Sequence, residues 1–336
     1  MAALSLQEYL FQKIREKLPS TSSLADVVAE LLFVSNDSAY RRIRGETPLV
    51  LDEAKTLCDA FSISLDEVLG AKQNSISFLY TQVDNSNYSF KKYLQEIHQN
   101  LKMISSGEQK ELIYLAKDIP IFYNFLLPPL FAFRYFFWMK SILQHPDFVN
   151  AQFSMDMLPS DIKELGTEIN KLYNEIPSTE IWNTECVNST ISQIEYYREA
   201  GYFSSEQDIE KLYAALRNLI EHLRERADRG CKFLPGENAA SKKNNFHFFY
   251  NRVVLGENTI MAILNGRKML YLSYDVLNYL FTQDEQFCNE THTKLQTLIR
   301  RATMLSNASE KQRNIFFNIL LRKIPNHSSA LIRTSL

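Results

Sequence analysis

Three arginines within four positions mark the segment whose chemistry is most specific. They are Arg41, Arg42 and Arg44, in the stretch NDSAYRRIRG that begins at Asn36. Arginine forms paired hydrogen bonds with guanine, asparagine does so with adenine, and both residue types also bind phosphates. The alternative is a basic, solvent-exposed face of a small helical bundle. The elements that hold the segment decide between these two interpretations.

Apolar residues at helical spacing predict five short helices within residues 1–70. Ser35 is placed to cap the third helix and Gly45 to end it, so the arginines lie on that helix. In the fifth helix, Ser64 followed by Glu67 has the spacing of a capping box. The segment therefore lies in a compact helical unit.

The second and third predicted helices are joined by a tight turn. Such a corner sets the later helix at a steep angle, so that its first residues can enter the major groove of DNA. The apolar positions that would pack the corner are Ala29, Leu32, Val34, Ala39 and Ile43. The polar positions left for DNA are Asn36, Asp37, Ser38, Tyr40, Arg41, Arg42 and Arg44.

The stretch LADVVAELLFVSNDSAYRRIRGETPLVLDEAKTLCDAFSISLDEVLG resembles the Cro/C1-type (Xre) helix-turn-helix domain of bacterial and phage regulators. The resemblance covers about residues 4–70, a fifth of the chain, and implies a sequence-specific transcriptional regulator that binds double-stranded DNA. One departure is Phe33, where the family usually has a small residue, typically glycine; a bulky residue there could shift the angle between the helices. The base-facing positions implied are Asn36, Asp37, Ser38 and Arg41. The positions implied to contact phosphate or to pack are Tyr40, Arg42 and Arg44.

The charge of this region favours a different function. Residues 1–70 contain seven Lys or Arg and eleven Asp or Glu, a net charge of −4. An acidic domain is an unusual DNA binder, because affinity for the DNA backbone depends on neutralised phosphates. The alternative function is a protein-interaction adaptor that retains the helix-turn-helix fold. If the protein binds DNA, we expect the affinity of a single copy to be modest. We expect a homodimer on two half-sites to compensate for this low affinity.

The rest of the chain predicts a larger domain. Residues 71–89 are expected to form a linker and a first strand, and residues 90–336 a regulatory or oligomerisation domain. Its expected parts are helices over 90–229, a β-meander over 246–274 and C-terminal helices over 275–323. Asn265-Gly266 suits the tight turn of a hairpin within that meander. The fold class predicted is thus mainly α, with a small antiparallel sheet.

The predicted domain also sets expectations about assembly and ligands. The apolar stripe over 206–226 and the two C-terminal helices are the candidate surfaces for a dimer. The larger domain is expected to dimerise the protein, to sense a small-molecule or peptide effector, or to do both. The aromatic cluster FYNFLLPPLFAFRYFFW, which begins at Phe122, could line an apolar pocket, although core packing is the commoner role. Arg134 within it is expected to pair with a carboxylate.

Composition argues against a polycationic protein and against folds built on glycine-rich phosphate loops. The net charge is −2, glycine is scarce, and no glycine-rich phosphate-binding motif occurs. The four cysteines are far apart and form no CxxC, as expected for free thiols in a reducing compartment. Cys288 and His292 are spaced like a pair of metal ligands, but two ligands do not make a site. We expect a cytoplasmic protein without a cofactor, a metal, a membrane segment or an enzymatic activity.

Overall fold

The computed structural model describes residues 5–19, 22–69, 76–80, 89–238, 244–253, 256–275, 278–307 and 310–326. The chain divides into two compact units, Met1–Ser77 and Phe78–Leu336. Each has its own buried core, so each is described separately.

The first unit contains the five predicted helices. They are α1 (Leu6–Lys17), α2 (Leu24–Leu32), α3 (Asn36–Ile43), α4 (Leu51–Phe61) and α5 (Leu65–Val68). Serine side chains at positions 5, 23 and 35 cap the first three helices by accepting backbone N–H groups. The residues buried in its core are Leu10, Phe11, Ile14, Ala25, Val28, Ala29, Ala39, Leu57, Cys58, Ile63 and Val68.

The second unit packs helices against a sheet. Its helices are α6 (Phe90–Ser105), α7 (Ile121–Asn124), α8 (Pro128–Phe137), α9 (Ser160–Glu175), α10 (Asn188–Glu199), α11 (Glu206–Arg229), α12 (Glu285–Arg301) and α13 (Glu310–Lys323). A π-helical turn, Trp138–Ile142, continues α8, and short 3₁₀ turns occur at Pro146–Phe148 and Met155–Met157. Its strands are β1 (Lys110–Ala116), β2 (Ser178–Trp182), β3 (Phe246–Tyr250), β4 (Thr259–Leu264), β5 (Arg267–Ser273), β6 (Tyr279–Thr282) and β7 (Thr303–Met304).

The fold class predicted from the sequence is wrong, because the sheet is neither small nor antiparallel. It has seven strands in the order β6-β5-β4-β1-β2-β3-β7. The pairs β1–β2 and β2–β3 are parallel, and the other neighbours are antiparallel. Strands β1 and β2 lie inside the region predicted as helical, 90–229. All five residues of β2 are buried, so its sequence lacks the alternation that identifies a half-exposed strand.

The β-meander predicted over 246–274 is also wrong. Strand β3 does not pair with β4, because β1 and β2 lie between them. The hairpin of β4 and β5 is present, with Asn265 at φ 50° and Gly266 at φ 85°, as the predicted turn requires. Strands β6 and β7 lie within the region predicted as C-terminal helices, 275–323. These strands are short, which makes them hard to identify from periodicity.

Helices cover both faces of the sheet, and their apolar stripes are buried within the same chain. On one face, the stripe of α11 is fully buried together with Phe316 and Phe317 of α13. On the other face, Cys288 and Leu295 of α12 pack against β1, β4 and β5. The predicted dimer surfaces therefore form this unit's own core. An amphipathic stripe shows that a helix face is buried, and does not show which partner buries it.

The predictions for two further segments, the linker and the aromatic cluster, can be compared with the structure. Of the predicted linker and first strand, 71–89, residues 76–80 contribute one bridge, between Leu79 and Phe281, and 71–75 and 81–88 lie outside the described residues. The aromatic cluster that begins at Phe122 is mostly core, since Phe131, Phe133 and Phe136 are buried. Across the residues that the structure describes, no helix has the length and apolarity needed to span a bilayer.

Candidate nucleic-acid interface

The corner between α2 and α3 is held by backbone hydrogen bonds and small side chains. The N–H of Val34 donates to the carbonyl oxygen of Ala29, 3.0 Å away. The side chain of Ser35 accepts the N–H of Ser38 at 3.3 Å and so begins α3. Ala29 and Ala39, one on each helix, are both buried. The first residues of α3 are therefore fixed relative to α2.

Phe33 forms the turn in a left-handed conformation, with φ 54° and ψ 42°. Glycine adopts this conformation without steric cost, whereas other residues do not. Its side chain is 96% exposed, so it packs against almost nothing in this unit. The chain thus forms its turn with a phenylalanine in the backbone conformation that a glycine would favour.

Arg42 points towards α4. Its Nε and Nη2 atoms bind the two carboxylate oxygens of Glu53 at 3.1 and 2.7 Å, and its Nη1 donates to the carbonyl of Ser38. The side chains of the pair are only 16% and 19% exposed. The hydrogen bonds from Arg42 lower the pKa of Glu53 below its ordinary value. Arg42 therefore joins α3 to α4. Of the two roles that the resemblance implies for it, phosphate contact and packing, this contact corresponds to packing.

Arg41 and Arg44 differ from Arg42 in being exposed. Arg41 Nε lies 3.1 Å from a carboxylate oxygen of Asp37, and Arg44 Nε lies 3.2 Å from one of Glu46. All four of these side chains are more than half exposed. Exposed ion pairs contribute only ~0–1 kcal/mol, so a phosphate or a base edge can displace either carboxylate at small cost.

The other predicted contact residues lie at the start and middle of α3. Asn36 donates from its side-chain amide to Asp26 at 2.9 Å, and the hydroxyl of Ser38 lies 3.0 Å from that of Ser35. Tyr40 is half exposed. Of the seven predicted residues, five are exposed and two, Ser38 and Arg42, are partly buried. The exposed five are Asn36, Asp37, Tyr40, Arg41 and Arg44.

Gln7 of α1 supports this surface and was not predicted. Its amide nitrogen donates to the carbonyl oxygens of Arg42 and Thr47 at 2.7 and 2.8 Å, and its amide oxygen accepts the N–H of Leu49 at 2.9 Å. It therefore fixes the loop that follows α3. A lone glutamine on an amphipathic helix gives no signal of this role in the sequence.

Comparison of the chain with protein-family models, curated proteins and solved structures found no match. The candidate interface therefore depends on the geometry of this chain alone. In that geometry, α3 presents an exposed, polar face, and contacts with α1, α2 and α4 hold the helix in place.

Arg134 of the second unit does not have the carboxylate partner that was expected. It donates to the side-chain oxygen of Gln193 at 2.8 Å and to that of Thr190 at 3.3 Å, and no carboxylate of the described residues pairs with it. The rings of Phe137 and Trp138 lie beside its guanidinium. Burial lowers the pKa of Arg134 to about 10, which still leaves the group charged at neutral pH. Neutral oxygens and aromatic faces thus stabilise this buried cation.

Glu180 of β2 is the centre of a buried polar cluster. The hydroxyls of Tyr123 and Tyr173 donate to one of its carboxylate oxygens, and the indole N–H of Trp182 donates to the other at 2.8 Å. Burial raises the pKa of Glu180 and lowers that of Lys232, whose Nζ donates to two backbone carbonyls. Both carboxylate oxygens are used, which indicates a structural role in joining β2 to α7 and α9.

No cluster of three or more His, Cys, Asp or Glu side chains in the described residues is placed to hold a metal ion. The thiol of Cys288 lies 3.7 Å from the carbonyl oxygen of Thr282, and His292 lies beside Gln296. All four cysteines are buried. Among the described residues, Cys288 and His292 are therefore not joined by a third side chain that could complete a metal site.

Proposed function

We propose that this protein is a sequence-specific DNA-binding transcriptional regulator of the Cro/C1 type, acting as a homodimer in the bacterial cytoplasm. The observation that supports this most directly is the exposed face of α3. There, Asn36, Tyr40 and Arg41 project from α3, and Arg44 projects from its C-terminal end, on the face that is exposed to solvent. Arginine and asparagine are the side chains that recognise guanine and adenine edges in the major groove.

The acidic charge of the first unit sets the expected strength of binding. The two exposed arginines, Arg41 in α3 and Arg44 at its C-terminal end, each have a carboxylate partner. DNA therefore has to displace Asp37 and Glu46 and then lies close to both. We therefore expect modest affinity for one copy, because few phosphates are neutralised. A dimer compensates, because the second half-site contact becomes intramolecular and raises avidity by ~10²–10⁴. The surface that joins the two copies is not the stripe of α11 or α13, which is buried.

A protein-interaction adaptor is the second candidate function. The net charge of −4 over residues 1–70 favours it, as does the side chain of Phe33, which is large, apolar and almost fully exposed. Aromatic side chains of this kind anchor protein interfaces. In this alternative, α3 keeps its fold and contacts a protein surface.

The first experiment is selection of bound DNA from a random pool with the whole chain. We expect a consensus of two inverted half-sites about one helical turn apart, ~34–36 Å from centre to centre. Sedimentation of the same protein should give a dimer. A pool that shows no enrichment after repeated rounds would favour the adaptor.

The second experiment tests the face of α3 on the selected DNA. Arg41→Ala should weaken specific binding by about 5- to 150-fold, the loss expected for one bidentate base contact. Arg15→Ala is the matched control, since it removes an exposed arginine from α1 in the same unit. It should change affinity by no more than about twofold.

Both variants should unfold like the wild type, because exposed substitutions usually change stability by less than ~0.5 kcal/mol. Equal losses of binding in Arg41→Ala and Arg15→Ala would show that only total charge matters. That result would contradict recognition by α3.

A further inference from the structure

A cavity of about 400 Å³ opens within the second unit. It lies between α6 and the face of the sheet formed by β1, β4, β5 and β6. Tyr93, Ile97 and Leu101 line it from the helix, and Ile260, Tyr271 and Phe281 line it from the sheet. Its volume is within the range of natural small-molecule sites, about 300–1,000 Å³.

The size and lining of this cavity need an explanation. Protein interiors pack like organic crystals and contain few voids larger than a water molecule. An opening of this volume leaves apolar side chains such as those of Ile97, Ile260 and Phe281 partly exposed to water, which forgoes the stabilisation that their burial would give. The cores on the two sides of the sheet are otherwise continuous clusters of buried residues. A retained opening of this kind is expected where a ligand fills it.

The charges around the cavity restrict what can fill it. Among the described residues that line it, Glu96 is the one charged side chain, and it already has an interaction partner. The lining contributes no arginine or lysine from these residues, so a carboxylate, sulfonate or phosphate group would be desolvated without a partner cation. Polar but neutral groups lie on the exposed side of α6, at Gln99 and Asn100.

The cavity is also connected to the start of the second unit. Leu79 forms part of its wall, and the N–H of Leu79 donates to the carbonyl oxygen of Phe281 at 2.7 Å. Tyr80, the next residue, also lines the cavity and is half exposed. A ligand here contacts the segment that follows the first unit directly in the chain.

We propose that this cavity binds an uncharged, largely apolar small molecule with a neutral polar end, and that this molecule is the effector of the regulator. The binding site is inferred from the cavity itself. Its role as an effector site rests on the proposed function, and the two parts are tested separately.

The test of binding uses N-phenyl-1-naphthylamine, an uncharged apolar dye that fluoresces in apolar sites, with the whole chain. Its sulfonated analogue, 8-anilinonaphthalene-1-sulfonate, has the same aromatic body and adds one negative charge. We expect saturable binding of the neutral dye at one site and at least about tenfold weaker binding of the anionic dye. Failure of the neutral dye to saturate, or equal affinities, would overturn the proposal.

Two variants assign the signal to the cavity. Ile97→Trp fills it and should weaken the neutral dye by about tenfold or more, whereas Met103→Trp adds the same side chain to an exposed position on the same helix and should leave binding unchanged. If Ile97→Trp does not fold, Gln99→Trp provides a second test, because this residue is exposed on the rim. Wild-type affinity in a folded Ile97→Trp protein would refute the assignment.

The effector role is tested by repeating the DNA-binding assay with saturating neutral dye. We expect the affinity for selected DNA to change in the wild type and in Met103→Trp, but not in Ile97→Trp. A dye that binds without changing DNA affinity would overturn the effector role and leave the site intact. A chain that binds the dye and selects no DNA would instead overturn the proposed function.

Discussion

Replacing Phe33 by glycine should stabilise the first unit. The backbone at Phe33 is left-handed, with φ 54° and ψ 42°, in the turn that ends α2. The backbone N–H groups of Phe33 and Val34 donate to the carbonyl oxygens of Glu30 and Ala29 at the end of α2. A glycine at position 33 keeps the same N–H donor. The change removes a large apolar side chain, which would normally be expected to destabilise a protein.

The expected magnitude follows from two opposing effects. A left-handed conformation costs a residue with a Cβ atom roughly 1–2 kcal/mol, and glycine avoids that cost. Glycine gives back roughly 0.5–1 kcal/mol, because it loses more conformational freedom on folding. The side chain of Phe33 is 96% exposed, so its removal forfeits almost no buried surface. The free energy of unfolding should therefore rise by ~0.5–1 kcal/mol.

The assay is urea denaturation of residues 1–77, in which the circular dichroism signal of the helices measures unfolding at each urea concentration. This segment is a compact unit with its own buried core, and we expect it to unfold in one cooperative transition. The midpoint should increase without a change in the denaturant slope. In a thermal melt, the same gain corresponds to a rise of roughly 2–8 °C for a unit of this size.

Phe33→Ala is the control that isolates the backbone conformation. It removes nearly the same side chain but keeps the Cβ atom, so its stability should stay within ~0.5 kcal/mol of the wild type. Ser62, which ends α4 with φ 49° and ψ 50°, provides an independent position, where Ser62→Gly should also stabilise. A Phe33→Gly protein no more stable than Phe33→Ala would refute the reasoning.

Two further predictions concern the packing of the same unit. Ala29→Leu should overpack the corner between α2 and α3 and lower the free energy of unfolding of residues 1–77 by ~1–3 kcal/mol, since Ala29 is buried there; an unchanged melt would contradict the observed packing. Because Arg42 lowers the pKa of Glu53 below its ordinary value of 4.5, the pair stabilises the unit above that pH, and the stabilisation is lost as the pH falls through the lowered value. Stability measured from about pH 6 to about pH 3 should therefore fall less in Glu53→Gln than in the wild type, and equal slopes would show that the pair does not contribute.

Local sequence signals were sufficient to locate the helices of the first unit. The cap at Ser35 and the apolar spacing of α2 and α3 involve residues within one or two helical turns of each other, so they can be identified without tertiary information. The same holds for Asn265 and Gly266, because a two-residue hairpin turn needs positive φ at both positions. These elements formed where the sequence predicted them.

The centre of the sheet could not be predicted in this way. Strand β1 pairs Leu112 with Ser178 of β2, and Ser178 pairs in turn with Phe246 of β3. These partners are tens of residues apart in the chain, and the buried β2 has no alternating pattern to mark it as a strand. Their adjacency depends on the packing of α6, α9 and α11 around them.

The sequence by itself determined where the helices of the first unit begin, which helix faces are apolar and where the cationic residues cluster, because these depend on neighbours along the chain. Only the tertiary structure decided what each face contacts. Arg41 and Arg42 are adjacent arginines, yet Arg41 is exposed and Arg42 is held by Glu53, since successive helical residues point about 100° apart and α4 lies on one side only. The stripe of α11 likewise forms the core because α13 and the sheet cover it, and the cavity beside α6 exists because its walls come from segments far apart in the chain.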